Sequence, residues 1–379
     1  MIKTGKYNRL QSLDIFRGIT VCLMIVVGAS GNYSYTYRML DHAPWIGFTP
    51  TDLIFPSFLF IIGVAQSLSL KSSATGGSVT KEQLIKILRR TAILFLLGIL
   101  INWFPFCLRN DSGDLQFISI AQVRILGVLQ RIALAYGICS LLVLYFSVRS
   151  LVVICTLILI TYVSLLYIGG SPDPYSVSTN LVGRIDKFLL GPGHMYTEQG
   201  QPFDPEGLLS TLPAIVNVLG GFLTGKLLLR QQFNLNDLIK ALMAGCMLFV
   251  AGYLWSYFDP VNKKLWTSSF TLITLGIDVM LFCSIVYYAD VSERRFPLAS
   301  FFNCFGKNPI LIYLFSELLM KLLLFPVLAS GEALYSFLYR QLFSMAGSYQ
   351  GSLLQAVTYM LLCYTLVWYL NKKRFYLKI

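Results

Sequence analysis

Charged side chains are scarce in this chain: Asp, Glu, Lys and Arg make up 13% of its 379 residues. A soluble globular protein carries about 25%, so a large hydrated surface is excluded. Histidine occurs only twice, as His42 and His194. Each therefore stands out as a group able to exchange a proton near neutral pH. The eight cysteines (Cys22, Cys107, Cys139, Cys155, Cys246, Cys283, Cys304, Cys363) lie mostly in apolar runs, and none forms a C-x-x-C pair. That pattern argues against a disulfide framework and against a zinc site, and no metal is expected. Short alternating strands are missing, which argues against a membrane β-barrel. No internal repeat in register and no low-complexity tract occurs. The missing repeat weighs against the common transporter folds.

What fills the chain instead is apolar residues in long blocks, 56% of the total, with a mean hydropathy of +0.66. This composition predicts an all-α, polytopic integral membrane protein, because lipid offers no partner to an unpaired backbone amide. About ten spans can be read: Leu13–Ser30, Thr51–Leu70, Thr91–Leu108, a fourth ending near Phe146, Leu151–Ile168, Gly207–Leu229, Leu238–Phe258, Leu265–Ala289, Phe302–Leu324 and Gly351–Leu370. One transmembrane domain over residues 1–379 is expected.

The N-terminus resembles a signal peptide at first sight, with Lys3, Lys6 and Arg9 ahead of an apolar run ending in Gly28-Ala29-Ser30-Gly31. Asp14 and Arg17 interrupt the place where the apolar core of such a peptide begins. A retained first helix, with Arg17 snorkelling to the surface, fits better.

The formal net charge of +12 falls mainly in short loops on one side: Lys3/Lys6/Arg9, Lys81 to Arg90, Arg149, Lys226/Arg230, Arg294/Arg295 and Lys372 to Lys378. That side is expected to be cytoplasmic, with both termini inside. Arg184, Lys187, Lys263 and Lys264 run against the bias. No basic run interleaved with aromatics points to nucleic acid, so the expected partners are membrane lipid and a small acceptor.

Polar chemistry concentrates in a few stretches. In LDHAPWIGFTPTDLIFPSFLFIIG (Leu40 to Gly63), Asp41 and His42 lead through Trp45 to Asp52 and an apolar run. His42 at a membrane boundary fits proton transfer; it also fits a loop cap, with Trp45 an interfacial anchor. In the second outward stretch, His194 precedes Asp204 and Glu206, which stand just before an expected helix start at Gly207. The acids suit either a helix N-terminus or a hydroxyl-rich or cationic ligand. Arg124 and Arg131 are seven residues apart, one face of a helix, and suit phosphates or acids. Lys307 sits beside Pro309, where a broken helix start can hold an anion. Asp278 lies within an apolar run, and intramembrane acids are functional candidates.

Six of these pieces occur in a telling order: SLDIFRG (from Ser12), DHAPWIGFTPTDLIFPSFLF (from Asp41), GVLQRIALAY (from Gly127), FDPEGLLSTLPAI (from Phe203), PVNKKLWTSSF (from Pro260) and GKNPILIY (from Gly306). Together they resemble the transmembrane acyltransferase family typified by heparan-alpha-glucosaminide N-acetyltransferase, over nearly the whole chain. The resemblance implies transfer of an acetyl group from cytoplasmic acetyl-CoA to the amine of a glucosamine-type sugar on the other side. It implies that His42, in the motif DHAPW, is the catalytic residue, with Asp41 or Asp52 orienting its ring. Asn32, Trp45, His194, Asp204 and Glu206 become candidates for the acceptor, and Arg17, Arg124, Arg131 and Lys307 for the CoA end. It further implies a homodimer. The lysosomal members carry an additional lumenal domain and span ahead of this region, so a bacterial form in the inner membrane is expected. Two departures stand out: Gly28 aligns with a family asparagine, and Trp45-Ile46-Gly47 replaces the usual W-N-G. Two other readings fit the residues, a permease with His42 and Asp52 as a proton relay, and a family member that binds CoA without turnover.

Overall fold

A computed structural model describes residues 10–70, 79–109, 114–228, 234–292, 296–326 and 331–377. The basic residues Lys3, Lys6, Arg9, Lys71, Arg230, Arg294, Arg295 and Lys378 lie outside them. The chain folds as helices α1 (Gln11–Gly28), α2 (Ile54–Ser69), α3 (Lys81–Trp103), α4 (Val128–Tyr145), α5 (Val148–Gly169), α6 (Leu181–Leu190), α7 (Thr211–Leu228), α8 (Leu235–Trp255), α9 (Ser268–Val286), α10 (Ala299–Lys307), α11 (Pro309–Leu324), α12 (Leu334–Leu338) and α13 (Ser348–Lys372). Two small antiparallel hairpins join them: Cys107–Arg109 with Leu115–Phe117, and Thr197–Glu198 with Gln201–Pro202.

Among the described residues, eight helical segments are long and apolar enough to cross a membrane. They are α1, Pro50–Ser69, α4, α5, α7, α8, Ser268–Val291 and α13. The third and ninth of the ten expected spans are helical but different. Helix α3 opens with Lys81, Glu82, Lys86, Arg89 and Arg90, so only its second half is apolar. The ninth is broken at Asn308 into α10 and α11. Helix α11 has 16 residues, about 24 Å at 1.5 Å per residue, against a hydrocarbon core of about 30 Å.

Burial does not follow hydropathy. Helix α7, the least apolar of the eight, is 78% buried, whereas α5, the most apolar, is 22% buried, as is α8. Apolar side chains gain nothing from leaving lipid for protein, so the interior is chosen by packing and polar contact. Helices α2, α4, α7 and α9 therefore form the centre, and α5 and α8 the rim. At Gly221 of α7 a side chain would collide with the backbone of Phe60, so α2 and α7 touch backbone to backbone. Gly306 is likewise pressed on the backbone of Asp14, which docks α10 on α1 and brings the motifs SLDIFRG and GKNPILIY together.

The same packing sorts the motifs to two ends. One end gathers the C-terminus of α1 and the starts of α2, α4, α7 and α9. The other gathers the start of α1, the α10–α11 break and the end of α13, where Lys307 meets Asn371.

Candidate active site

His42 lies in the loop before α2, and its neighbours come from a capped turn. Thr49, Pro50 and Asp52 form a capping box over the turn Pro50–Leu53. Proline presets the first helical position, and Asp52 at the third reaches back to the start of the turn. Its Oδ2 accepts from the Thr49 amide at 3.0 Å and the Ala43 amide at 3.2 Å. Its Oδ1 lies 2.8 Å from His42 Nδ1. Asp52 is fully buried, while the His42 side chain is 44% exposed. A carboxylate only accepts, so Nδ1 carries the proton and Nε2 keeps its lone pair. Asp41 touches the backbone instead, accepting from the His42 amide at 2.8 Å. Asp52, then, orients the ring.

Two lysines that run against the charge bias meet the loop of this histidine. Lys263 Nζ lies 2.9 Å from His42 Nδ1, 3.2 Å from Nε2 and 3.5 Å from Asp52 Oδ1. Lys264 Nζ donates to the Pro44 carbonyl and to Glu198, each at 2.7 Å. The loop that carries them is tied down on every side. Asn262 Oδ1 accepts from the Leu265 amide, Thr267 Oγ1 from the Asn262 amide, and the Leu265 carbonyl from Tyr162. Asp259 accepts from Tyr175 and from the Ser269 amide. Trp266 has φ 54°, a left-handed backbone that is an outlier for a bulky residue; its indole donates to Asn217. Burial pulls Lys263 below the ordinary lysine range, against the opposing pull of Asp52 and Glu206.

The second expected stretch adjoins this site through its charges. Arg124 grips Asp204 with two hydrogen bonds, 2.9 and 2.6 Å, and Glu206 with one of 2.5 Å. Burial pushes Glu206 up, but Arg124 and Arg131 outweigh it and hold its carboxyl below the usual range. Asp204 is fully buried, so removing Arg124 would strand it at a cost of about 3–5 kcal/mol. The guanidinium is thus first a structural tie. His194 Nδ1 is 2.7 Å from the Val123 carbonyl. The helical face expected for Arg124 and Arg131 does not form. Residues 122–127 leave the helix because Asn102 grips the carbonyls of Arg124 and Leu126, and the Ile125 amide pairs with His194. Helix α7 also starts at Thr211, four residues beyond the expected Gly207. Asp186 Oδ1 takes the Leu208 amide in that turn, and burial raises its carboxyl to about 6.

Arg131 is fully buried, stacked 4.7 Å over the Trp266 ring and hydrogen-bonded to Ser210. Trp45 is a packing residue: its indole donates to the Tyr175 carbonyl at 2.7 Å and its ring meets Phe203 edge-on. Asn32 uses its side-chain oxygen to cap the Ser34 amide. A Cβ at Gly28 would meet no atom within 4 Å. Asp278 bonds Ser57 deep in the bundle.

Arg17 and Lys307 lie at the opposite end. Arg17 Nη1 donates to Asp14 at 3.3 Å and to the Gly306 carbonyl at 3.2 Å. Lys307 Nζ is 3.4 Å from Asn371 Oδ1. The four cations expected to serve one ligand end thus divide into two pairs. Between the ends lies a small apolar cavity of about 10 Å³, walled by Met24, Phe55, Phe58, Leu129, Ile310 and Tyr313. Thr49 and Lys263 were not read from the sequence as site residues. The T-x-x-D spacing after Phe48 is a capping signal that points to Thr49; nothing local points to Lys263.

Residues 9–258 match the family described as heparan-alpha-glucosaminide N-acetyltransferase, catalytic. The human (Homo sapiens) heparan-alpha-glucosaminide N-acetyltransferase is 30% identical over 361 residues, covering 82% of this chain and 53% of that protein. The mouse (Mus musculus) protein of the same name is 28% identical over 364 residues, with 82% and 54% covered. The chain spans about half the length of these relatives. With two thirds of its residues matched and the His42–Asp52 pair inside the match, the chain belongs to the heparan-alpha-glucosaminide N-acetyltransferase catalytic family.

Proposed function

We propose that this protein is a membrane N-acetyltransferase that moves an acetyl group from acetyl-CoA to the amine of a glucosamine-type sugar. The observation that carries this reading is the His42–Asp52 pair, with Nδ1 held at 2.8 Å and Nε2 left as a base. Asp52 keeps the ring in one tautomer and stabilises the imidazolium that forms, as an acid does in other histidine-based transfers. The amine nitrogen attacks the thioester carbonyl, a C–N bond forms and the C–S bond breaks. His42 Nε2 takes the ammonium proton and passes it to the departing thiolate. A route through an acetyl-imidazole uses the same nitrogen as nucleophile.

Arg17 and Lys307 suit the CoA phosphates, since both are cations at one end of the bundle with carbonyl and amide neighbours. The apolar side chains between Ile310 and Phe55 suit the neutral arm of CoA on its way to His42, once they part to admit it. Asp204, Glu206 and Lys264 border the acceptor side. Lys81, Arg149, Lys226 and Lys372 begin or end helices at the Arg17 end, which favours a cytoplasmic donor and an acceptor on the outer face of a bacterial inner membrane.

The test is acetylation of glucosamine by the purified protein in detergent with labelled acetyl-CoA. Wild type is expected to label the sugar, and His42→Ala to lose all transfer while melting at the wild-type temperature. Full activity in His42→Ala would sink the reading.

A further inference from the structure

The chemistry above leaves one demand unmet. When an acyl carbon becomes tetrahedral its oxygen gains a full negative charge, and in a protein interior that charge needs a fixed donor. Neither His42 nor Asp52 can supply one: Nδ1–H is committed to Asp52, and Nε2 is occupied with the nucleophile or its proton. The side-chain cation beside Nε2 is Lys263.

We propose that Lys263 is a second catalytic residue, whose ammonium holds the oxyanion formed on the acetyl donor beside His42. The proposal rests on the acyltransferase reading and adds a role to it. Four observations carry it. Lys263 Nζ is 3.2 Å from His42 Nε2, so an oxygen on a carbon at or next to Nε2 falls within its reach. A single ammonium cannot align with the lone-pair directions of both ring nitrogens, and Nδ1 already gives its proton to Asp52, so the contact with Nδ1 uses no N–H. Asp52 Oδ1 is 3.5 Å away, longer than a good charge-assisted hydrogen bond, which leaves donor capacity on Nζ. Lys263 itself is held in place, because Asn262, Thr267, Tyr162 and the left-handed Trp266 lock the loop around it.

Lys264 shows the contrast. Its ammonium is spent on Glu198 and on the Pro44 carbonyl, at 2.7 Å each, so it braces the loop. Lys263 instead has Asp52 as its ion-pair partner and Glu206 within electrostatic reach. These two acids favour the ammonium form that an oxyanion needs, against the burial that pulls Lys263 below the ordinary range.

The electrons balance without another reactant. As the attacking nitrogen bonds to carbon, the C=O π pair moves onto oxygen, where the Lys263 N–H donates to it. The pair then returns, the C–S bond breaks and CoA leaves as a thiolate. The proton held on His42 Nε2 goes to the sulfur. Lys263 begins and ends the cycle as an ammonium.

The experiment compares wild type, His42→Ala, Lys263→Met and Lys263→Arg, purified in detergent, in steady-state acetylation of glucosamine with labelled acetyl-CoA. Lys263→Met is expected to lose about 10²–10³-fold in kcat, the usual cost of an oxyanion donor, with KM for acetyl-CoA within about threefold. Lys263→Arg should regain at least about tenfold of the loss, since it restores the charge but not the reach. Melting temperatures of both variants, and a Lys263→Gln variant of similar length, separate a lost charge from a lost fold. Lys263→Met working within about threefold of wild type, or an arginine variant as poor as the methionine one with both fully folded, would overturn the proposal. So would stoichiometric acetylation of Lys263 during turnover, read by peptide mass, since an amide cannot hold an anion. No transfer by wild type brings down the acyltransferase reading and Lys263 with it; transfer that survives Lys263→Met brings down Lys263 alone.

Discussion

At the His42 end, the carboxylates Asp52, Glu198, Asp204 and Glu206 stand within ion-pair distance of Arg124, Lys263 and Lys264. At the other end, Arg17 and Lys307 draw contacts from Asp14, the Gly306 carbonyl and the Asn371 amide. The first end balances its charges internally, and the second leaves positive charge in excess. A balanced wall suits a polar sugar whose amine must lose its proton. A cationic wall suits a polyphosphate. The two substrates proposed for this protein thus differ in charge as the two ends do.

The sharpest way to break the comparison is at the charge that both orients the ring and closes the turn. Asp52→Asn keeps the shape, but its amide can point an N–H at Nδ1 and reverse the tautomer. A fall in transfer of about 10³–10⁴-fold is expected, measured as kcat on glucosamine with acetyl-CoA at saturation. A loss below about tenfold would mean that the ring is oriented by something else.

The opposite end should respond differently. Arg17→Gln and Lys307→Gln are expected to raise KM for acetyl-CoA by roughly tenfold each, about 1.4 kcal/mol, with KM for the sugar unchanged. The effect should shrink as salt rises. An equal change in both Michaelis constants would remove the assignment of this end to the donor.

The smallest expected effect sharpens the picture of the balanced end, because Asp186 is a poorly compensated acid there. Its Oδ2 has no hydrogen-bond partner, and burial raises its carboxyl from 3.8 to about 6. A folded-state value above the unfolded one means that the folded protein holds the proton longer. Stability is then complete below about pH 4 and falls as pH rises through about 6. The two units are worth up to ~3 kcal/mol. Wild type should lose a few degrees of melting temperature between pH 4 and pH 6.5, and Asp186→Asn should flatten that slope. An unchanged slope would mean that Asp186 finds a partner in solution.

Much of this was readable in the chain. Eight of the ten expected spans are helices that can cross a membrane, because apolar length is a local property. The His42–Asp52 pair was within reach because only ten residues separate the two, on either side of one turn. Lys263 was not, because its contact with His42 bridges 221 residues, and the sequence offered only its place in PVNKKLWTSSF and a position on the wrong side for a lysine. That exception to the charge bias was the trace it left. Arg124 pairs with acids as its charge predicts but leaves the expected helical face for a related reason. Its periodicity with Arg131 is helical, but Asn102, on α3, and His194, after α6, pull the backbone out of the helix. The broken ninth span shows the converse. Pro309 marks the break in the sequence, yet what stabilises the break comes from far along the chain.

That stabiliser is the segment after α13. The Asn308 side chain donates to the Phe375 carbonyl at 2.9 Å and accepts from the Leu377 amide at 3.0 Å. Its amide therefore mimics a strand edge for residues synthesised 67 and 69 positions later. A chain ending before Phe375 would leave the Asn308 side chain without these two partners, so the helix break at the Arg17–Lys307 end depends on the segment that follows α13.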